Sequence, residues 1–484
     1  MKLPQAVGLA LLAAGLPVFA ALAQGPALDP AFAIVSATST PNPTYPRVVD
    51  MVRQPDGKLI VVGDLSTVNN VPVNNVCRLL PNGQVDTTFS AASANRDIIS
   101  IALQADGKLL IAGRFTAVDG QPRKGLARLL ANGALDAGFV SPYVGTPTSG
   151  ATIFKVVVQP NAGILVMGTL LPPGSPGPGV GLARLLEATG AMDPTFQPGF
   201  NTFSLQDVLV LPNGRLVVAG RPQLFGSQQC NVWGALANGA LDPAFVPLPG
   251  TVDAYGLVPD PATGNLYVTG AVPGTALDRE PVRLRPNGTR DFTFSTAGAF
   301  VVGPLRGHLD HLAVQPNGRL LLGGDFTFSS NTYVGSWRLL PSGARDPSYQ
   351  ALNGPNFAAA RVLVQPDGAL VFGGSFNEVG GFALNCVARM LDPNVLAVGG
   401  QQTEERLATW PVPAHDVLHL RLAATGGGPV RLALLDALGR VVRQQDAAAG
   451  QTALALPTAG LPPGTYLLRV AYPSGPVLRR VLLE

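Results

Sequence analysis

The stretch QPDGKLIVVG, residues 54–63, decides the fold because it recurs along the chain. Close copies are QADGKLLIAG at 104–113, QPNGRLLLGG at 315–324 and QPDGALVFGG at 365–374. With three weaker copies included, the turn glycines of this phrase stand at positions 57, 107, 163, 214, 264, 318 and 368. They are 50 to 56 residues apart, and a period of this length indicates a repeat architecture.

A second phrase follows each first one, as in RLLPNGQVDTTF at 78–89 and RLLANGALDAGF at 128–139. Later copies end in the same acidic and aromatic pair, at Asp193/Phe196, Asp242/Phe245, Asp291/Phe294 and Asp346/Tyr349. Asp-Gly and Asn-Gly tolerate the positive φ that tight turns between twisted strands require. Each repeat is therefore predicted to hold two β-hairpins.

The predicted strands are apolar on both faces, as in Leu59–Val62. Such a strand belongs to a sheet that is packed between two other sheets. Two hairpins per repeat predict a four-stranded sheet, and radial stacking of such sheets gives a β-propeller. We therefore expect an all-β protein with seven four-stranded blades.

The acidic–aromatic endings are out of phase with the first hairpins. One ending, Asp29–Phe32, precedes every first hairpin, whereas the last repeat, which ends at 389–393, lacks one. We expect the N-terminal segment to supply the outer strand of the final blade, which would close the ring and remove an exposed sheet edge. The alternative is an open solenoid, because the same repeats also fit a linear stack.

The Asp of each ending is interpreted as structural rather than as catalytic or calcium-binding. Seven copies occupy the same place in the repeat, including Asp29 and Asp86. A short acceptor that follows a turn bonds to nearby backbone N–H groups, and the aromatic residue can pack between blades.

These phrases resemble the delta-60 repeat family of bacterial secreted proteins over about residues 27–395. The resemblance implies a propeller fold and carries no settled reaction or ligand. Repeats three, four and five depart from the family pattern, and the usual first turn is replaced by NAG at 161–163 and ATGN at 262–265.

The N-terminus has the features of a secretory signal peptide. Lys2 precedes an apolar stretch at 6–20, and Ala21–Ala23 offers a small-residue cleavage site. The alternative is a membrane anchor, although the stretch is short for a membrane span. Residues 1–23 are predicted to be the signal, 24–396 the propeller and 397–407 a polar linker, with no integral membrane segment after cleavage.

Residues 408–484 are predicted to form a small Ig-like antiparallel sandwich. The expected strands alternate apolar and polar residues and are separated by turns. They are Val417–Leu422, Val430–Leu435, Arg440–Arg443, Thr452–Leu456, Thr465–Val470 and Val477–Leu483.

This module resembles the C-terminal sorting domain of type IX secretion in Gram-negative bacteria. The matching pieces are WPVPA at 410–414, LLDALGRVV at 434–442 and LPPGTYLLRV at 461–470. Trp410 and Val412 depart from the Tyr and Asn usual in that family. The resemblance implies the type IX machinery as a partner of residues 408–484, with secretion or surface attachment of the protein. The alternative is an ordinary adhesive sandwich.

Composition and motifs indicate few chemical functions. Lys and Arg number 33 against 30 Asp and Glu, so charge does not suggest a nucleic-acid partner. Cys77, Cys230 and Cys386 fall in separate blades and are expected to be buried free thiols. No phosphate-binding loop, nucleophile elbow or His-Glu-x-x-His phrase is present, and no cofactor is predicted.

The segment His308-Leu309-Asp310-His311 resembles a metal-binding cluster but falls in a predicted first strand. In a regular strand His308 and Asp310 share one face and His311 faces the other way. Two ligands are fewer than the three protein ligands of a catalytic zinc site, so no metal site is predicted.

The predicted binding site lies on the face opposite the short turns. The connections there are long and irregular, as at 65–76, 169–181, 222–231 and 298–307. Binding sites commonly lie on variable loops of a rigid scaffold. The candidate ligand-binding residues are Tyr143, Phe225, Tyr333 and Phe357, which could stack on sugar rings or anchor a protein partner. The alternative is that these aromatics fill gaps between blades.

We therefore expect an exported, non-enzymatic propeller that binds extracellular glycan or protein. One alternative is a carbohydrate-active enzyme, a glycoside hydrolase or lyase, which needs clustered carboxylates in the channel or on the loop face. Another is a structural surface-layer component.

Overall fold

The computed structural model describes residues 26–33, 35–39, 46–142, 152–160, 163–170, 180–200, 202, 205–225, 227–251, 253–270, 280–297, 299, 306–327, 333–349, 354–392, 407–410, 414–422, 430–436, 441–448, 450–472 and 475–484. The predicted signal peptide and residues 397–406 of the predicted linker lie outside these ranges. The described ranges form an all-β structure. They contain no helix with the length and apolar character needed to cross a bilayer.

Seven antiparallel sheets follow one another along the repeats, one sheet per repeat, with a short turn between their first and second strands. Sheet 1 contains β3 (Arg47–Arg53), β4 (Leu59–Asp64) and β7 (Val76–Leu79), and sheet 2 contains β8 (Ile98–Leu103), β9 (Leu109–Gly113) and β12 (Leu126–Leu129). Sheet 3 contains β13 (Thr152–Val158), β14 (Gly163–Leu170) and β15 (Val180–Leu186), and sheet 4 contains β16 (Leu205–Val210), β17 (Leu216–Phe225), β18 (Gln228–Ala235) and β19 (Leu248–Pro249). Sheet 5 contains β20 (Ala254–Pro259), β21 (Leu266–Gly270) and β22 (Val282–Leu284), and sheet 6 contains β23 (Arg306–Val314), β24 (Leu320–Thr327) and β25 (Tyr333–Leu339). Sheet 7 contains β26 (Arg361–Val364), β27 (Leu370–Gly373), β30 (Val387–Leu391) and β1 (Ala27–Leu28).

The prediction of four strands in every sheet is wrong for the described part of sheets 1, 2, 3, 5 and 6, which have three. After the Asn82-Gly83 turn only Val85 returns to pair, with Leu79, before the chain leaves for the next sheet. The fourth strand is thus reduced to a single bridge. The backbone hydrogen bonds of Asp86 and Phe89 then turn the chain outward.

The N-terminal strand joins the last sheet, as predicted. Ala27 pairs with Leu391 and Leu28 pairs with Met390, so β1 is the outer strand of sheet 7. Hydrophobic clusters link every consecutive pair of sheets. A further cluster includes Met51 of sheet 1 and Val371 of sheet 7, so the first and last sheets also pack together.

Three connections between second and third strands are regular hairpins. They are β5 (Thr67–Val68) with β6 (Val71–Pro72), β10 (Ala117–Val118) with β11 (Gln121–Pro122), and β28 (Glu378–Val379) with β29 (Phe382–Ala383). The first of them also pairs with β2 (Ala37–Thr38). The prediction that 65–76 is irregular is therefore wrong, because asparagines such as Asn69 and Asn70 adopt the positive φ of a tight turn.

The C-terminal module consists of two sheets around one core. One sheet contains β31 (Leu407–Trp410), β32 (Val417–Leu422) and β35 (Ala453–Pro457), and the other contains β34 (Val441–Ala447), β33 (Val430–Leu435), β36 (Gly464–Tyr472) and β37 (Gly475–Leu483). The buried core includes Leu420, Leu432 and Leu468. All six predicted strands are present, and β31 is an additional one.

Candidate functional site

The first strand of each sheet, which we call the innermost strand, has one residue that stands four positions before the first turn begins. Together these seven residues form what we call the inner ring. Its members are Asp50, Ser100, Lys155, Asp207, Gly256, His311 and Arg361. In sheets 1 to 6 a β-bulge immediately precedes this position. A bulge re-aims the following side chain, and Asp50, Ser100, Lys155 and Arg361, from four different sheets, line one central cavity.

Inner-ring side chains accept hydrogen bonds from backbone N–H groups of the next sheet. Ile101 N–H donates to Asp50 Oδ2 at 3.1 Å, and Val156 N–H donates to Ser100 Oγ at 3.3 Å. Leu257 N–H donates to Asp207 Oδ2 at 2.8 Å. The innermost strand is a sheet edge whose outward N–H groups lack a strand partner. The inner ring satisfies these groups and joins neighbouring sheets.

Two ion pairs complete these contacts. Arg361 Nε donates to Asp50 Oδ1 at 2.6 Å, which joins sheet 7 to sheet 1, and Lys155 of sheet 3 pairs with Asp207 of sheet 4. Burial would lower the pKa of Arg361, but the adjacent Asp50 carboxylate outweighs it and raises that pKa. The guanidinium therefore remains charged.

The cavity has a volume of about 680 Å³ and lies on the side of sheets 3, 4 and 5. From the inner ring it extends along Val156–Val158 and Val208–Leu211 towards the first turns, where Pro160, Pro212 and Pro261 line it. Its lining therefore reaches the short turns, whereas the sequence analysis placed the binding site on the opposite face. A volume in this range is typical of small-molecule sites.

His311 occupies the inner ring in sheet 6. A bulge lies between Leu309 and His311, so the strict alternation expected for this segment does not hold. Val362 N–H donates to His311 Nδ1 at 3.4 Å. Burial, reinforced by the charges of Arg361 and Lys155, holds the pKa of His311 well below its ordinary value. Within the described ranges no three His, Cys, Asp or Glu side chains are grouped to hold a metal ion. The side chains of His308 and Asp310 lie outside the described residues.

The repeated acidic–aromatic ending forms a structural clip. Arg78 Nε donates to Asp86 Oδ2 at 2.9 Å, and the Arg78 guanidinium lies 4.7 Å from the centre of the Phe89 ring. Arg78 Nη1 also donates to Ala131 O of the next sheet at 3.0 Å. Burial opposes ionisation of Asp86, but hydrogen bonds from Thr88 and the charge of Arg78 lower its pKa to about 2.

The same clip recurs in four more repeats, with Arg128/Phe139, Arg184/Phe196, Arg283/Phe294 and Arg338/Tyr349. The backbone hydrogen bonds predicted for the Asp are present, as from Thr88 N–H to Asp86 Oδ1 at 3.1 Å. The partner that sequence reasoning missed is the Arg, which stands eight or nine residues before the Asp in the sequence.

The predicted ligand-binding aromatics do not form one described cluster. Tyr143 lies outside the described residues, and of Tyr333 only the backbone, in β25, is described. Phe225 is half-buried, with its ring centre 5.4 Å from that of Trp233. Phe357 is 41% exposed. The role of these four residues stays a prediction.

Two exposed apolar residues on the same loops were missed. Leu224 is 69% exposed at the tip of the β17–β18 hairpin, and Phe382 is 57% exposed in the β28–β29 hairpin. The signal available in the sequence was their position between a second and a third strand. Neither residue was among the aromatics predicted from the long connections, because Leu224 is aliphatic and Phe382 lies in a regular hairpin.

The three cysteines are buried and free, as predicted. Burial raises the pKa of the Cys77 and Cys386 thiols to about 12. A thiol in this state is a weak nucleophile, so the site has no activated cysteine among these three.

Two families match parts of the chain. Residues 54–89, 104–139 and 315–349 match a family described as a domain of unknown function (DUF5122) beta-propeller. Residues 408–484 match the secretion system C-terminal sorting domain. The chain thus carries propeller repeats and a type IX sorting domain, and the protein is secreted or attached to the cell surface. No curated protein matches the chain.

Solved structures align with most of the chain at low identity. The extracellular domain of a hybrid two-component system from B. thetaiotaomicron is 12% identical, with a TM-score of 0.47, over 93% of this chain and 57% of that one. The chain therefore spans little more than half the length of that protein. An oligogalacturonate lyase in complex with manganese is 14% identical, with a TM-score of 0.48, over 77% of this chain and all of that one.

Proposed function

We propose that this protein is an exported, non-catalytic binding scaffold whose seven sheets form a closed seven-bladed ring. The β1–β30 pairing and the core shared by sheets 1 and 7 support closure. We also infer that the two sheets of residues 408–484 form an Ig-like sandwich and contact the type IX machinery. The partner of the ring would be an extracellular glycan or protein.

The observation that carries this proposal is a pair of exposed aromatics on the loop face. Phe357 and Phe382 are 41% and 57% exposed. Backbone contacts join the two segments. Asn356 N–H donates to Glu378 O at 3.0 Å, and Pro355 forms an isolated antiparallel β-bridge with Val379. Exposed aromatic rings on a braced hairpin offer the area that stacks on sugar rings or anchors a protein partner.

The enzymatic alternative needs available carboxylates in the channel, and Asp50 and Asp207 are the inner-ring carboxylates. Each already accepts two backbone N–H groups and pairs with one cation. A general acid needs a raised pKa and a nucleophile needs an accessible oxygen. These contacts therefore favour a structural role for both groups and a binding function for the protein.

A glycan array and a pull-down from extracellular material, with the purified exported chain, test the proposal. Specific binding should be lost in the double variant Phe357→Ala/Phe382→Ala. Binding should persist in Phe292→Ala. This control removes a 77% exposed phenylalanine from the acidic–aromatic ending at 291–294, which is outside the two proposed binding segments. Product release from a glycan would instead support an enzyme, and absence of any binding would support a structural surface role.

A further inference from the structure

In the inner ring the cationic side chains are more exposed to solvent than the anionic ones. The Arg361 and Lys155 side chains are 31% and 28% exposed, whereas those of Asp50 and Asp207 are 6% and 9% exposed. Both cations line the central cavity. A molecule entering the cavity therefore meets positive charge first.

The two carboxylates have little remaining capacity to bind a ligand. Asp50 accepts Met51 N–H at 2.8 Å, Ile101 N–H at 3.1 Å and Arg361 Nε. Asp207 accepts Val208 N–H at 2.7 Å, Leu257 N–H at 2.8 Å and the Lys155 ammonium. Backbone donors hold these oxygens in place, so the carboxylates are fixed counter-ions.

The two cations retain donors. Arg361 uses only Nε among the described residues, which leaves four N–H groups on Nη1 and Nη2. The Lys155 ammonium makes one hydrogen bond within the described ranges and so retains two donors. Lys155 and Arg361 line the same cavity, so one ligand in it can meet both side chains.

Beyond the inner ring the cavity lining is largely apolar, and its polar members are Asp260 and Asn213 at the turns. Val157, Leu209, Leu211 and Leu266 line it together with the prolines of the first turns. A ligand that fills the cavity would thus place an apolar body along these side chains and a hydrogen-bond acceptor at its inner end.

From this arrangement we propose that the central cavity binds a small carboxylate with an apolar body, its head group held by Arg361 and Lys155. This assignment rests on the proposed binding function and names the ligand class of a second site on the same ring. A planar guanidinium matches a carboxylate bidentately. Asp50 and Asp207 already balance both cations, so a monoanion adds one net charge where a dianion would add two.

Calorimetric titration of the full exported chain with octanoate tests the proposal, with 1-octanol, octylammonium and acetate as comparators. Octanoate should bind at least about 10-fold more tightly than each comparator, because octanol lacks the charged acceptor, octylammonium is repelled by the cations and acetate lacks the apolar body. Equal affinity for octanol, or no octanoate binding, would overturn the assignment. Glycan or protein binding by the loop face could persist in that case, so the two proposals fail separately.

Three substitutions locate the site. Arg361→Gln and Lys155→Gln should each weaken octanoate binding by about 10-fold or more, and Arg361→Lys by less. Arg114→Gln is the matched control, because Arg114 pairs with Asp97 where both side chains are more than half exposed.

If an inner-ring variant fails to fold, Pro261→Trp decides the outcome. Pro261 lies on an exposed turn at the cavity lining, and a bulky residue there should block octanoate without touching an ion pair. Unchanged octanoate affinity in Pro261→Trp would place binding elsewhere and contradict the proposal.

Discussion

The carboxylate of Asp29 lies 3.2 Å from the guanidinium of Arg389, although the two residues stand at opposite ends of the repeats. The pair is equivalent to Arg78–Asp86, which forms within one repeat. Three residues later Phe32 lies against the Asn82-Gly83 turn of sheet 1, where Ala33 N–H donates to Asn82 O at 2.6 Å. The N-terminal segment therefore contacts sheet 7 and sheet 1 together.

Removal of this contact should destabilise the whole ring. Asp29 is 4% exposed, and Asp29→Ala removes one of the two carboxylates that pair with Arg389, whose side chain is 17% exposed and keeps its pair with Asp367. We expect a loss of about 1.5–3 kcal/mol in the free energy of unfolding, measured with urea, because a hydrogen-bonded charged group is removed. Asp446→Ala is the control, since its pair with Arg431 is exposed and contributes about 1 kcal/mol or less. Similar losses in both variants would contradict a stabilising role for the Asp29–Arg389 contact.

Gly83 is required by conformation and by space. Its φ is +83°, and a Cβ there would lie 2.9 Å from the Phe32 ring and from Ala33 N. Gly120 has a φ of +72° with no atom near its Cβ direction, so it is a matched control. Gly120→Ala should cost about 1–2 kcal/mol of unfolding free energy. Gly83→Ala should cost about 1–3 kcal/mol more, because the N-terminal segment must shift. Equal losses would show that Phe32 does not pack on this turn.

His311 should make stability depend on pH. Its pKa is lowered in the folded state, so below about pH 6.5 the unfolded chain binds a proton that the folded chain does not. The contribution of His311 to the free energy of unfolding is therefore fully present above pH 6.5. It falls as the pH decreases towards the pKa of His311 in the folded protein. We expect His311→Gln to reduce the slope of unfolding free energy between pH 6.5 and 5 by up to about 1.4 kcal/mol per pH unit. An unchanged slope would mean that the folded and unfolded chains bind the His311 proton equally, which would contradict the lowered pKa.

The native thiols should be inert. Cys77, Cys230 and Cys386 are each no more than 2% exposed, and burial raises the pKa of all three. We expect no reaction with a disulfide reagent at pH 8 in the folded protein and three thiols after denaturation. A Ser227→Cys variant supplies a reactive, exposed control. Rapid release of one equivalent from the native protein would contradict this burial.

The sheets could be predicted from the sequence because each turn is determined by the few residues within it. Glycines such as Gly57 and Gly83 mark the turns, and the orphan ending at Asp29–Phe32 predicted the N-terminal strand of sheet 7. The length of the fourth strand was overestimated. The chain turns at Asp86, directly after Val85, so Val85 is the residue that pairs with Leu79. That outcome depends on contacts with the next sheet, which a single repeat does not contain.

The inner ring was missed for a different reason. A β-bulge before Asp50 and before His311 changes which side chains face the channel, and strict alternation does not reveal a bulge. One signal was present. Five of the seven positions that stand four residues before the first turn are Asp, Lys, His or Arg in otherwise largely apolar strands. Their convergence on one cavity depends on how the sheets pack against one another, which a single repeat does not reveal.

The distance between residues 27 and 391 tests the closed ring most directly. Nitroxide labels at Ala27→Cys and Leu391→Cys, with the buried native thiols unlabelled, can be measured by electron paramagnetic resonance. Paired strands lie about 5 Å apart, so the account predicts strong dipolar broadening from a single short distance. Seven sheets stacked about 10 Å apart in an open row would separate the labels by roughly 60 Å, and an unbroadened spectrum of that kind would contradict closure.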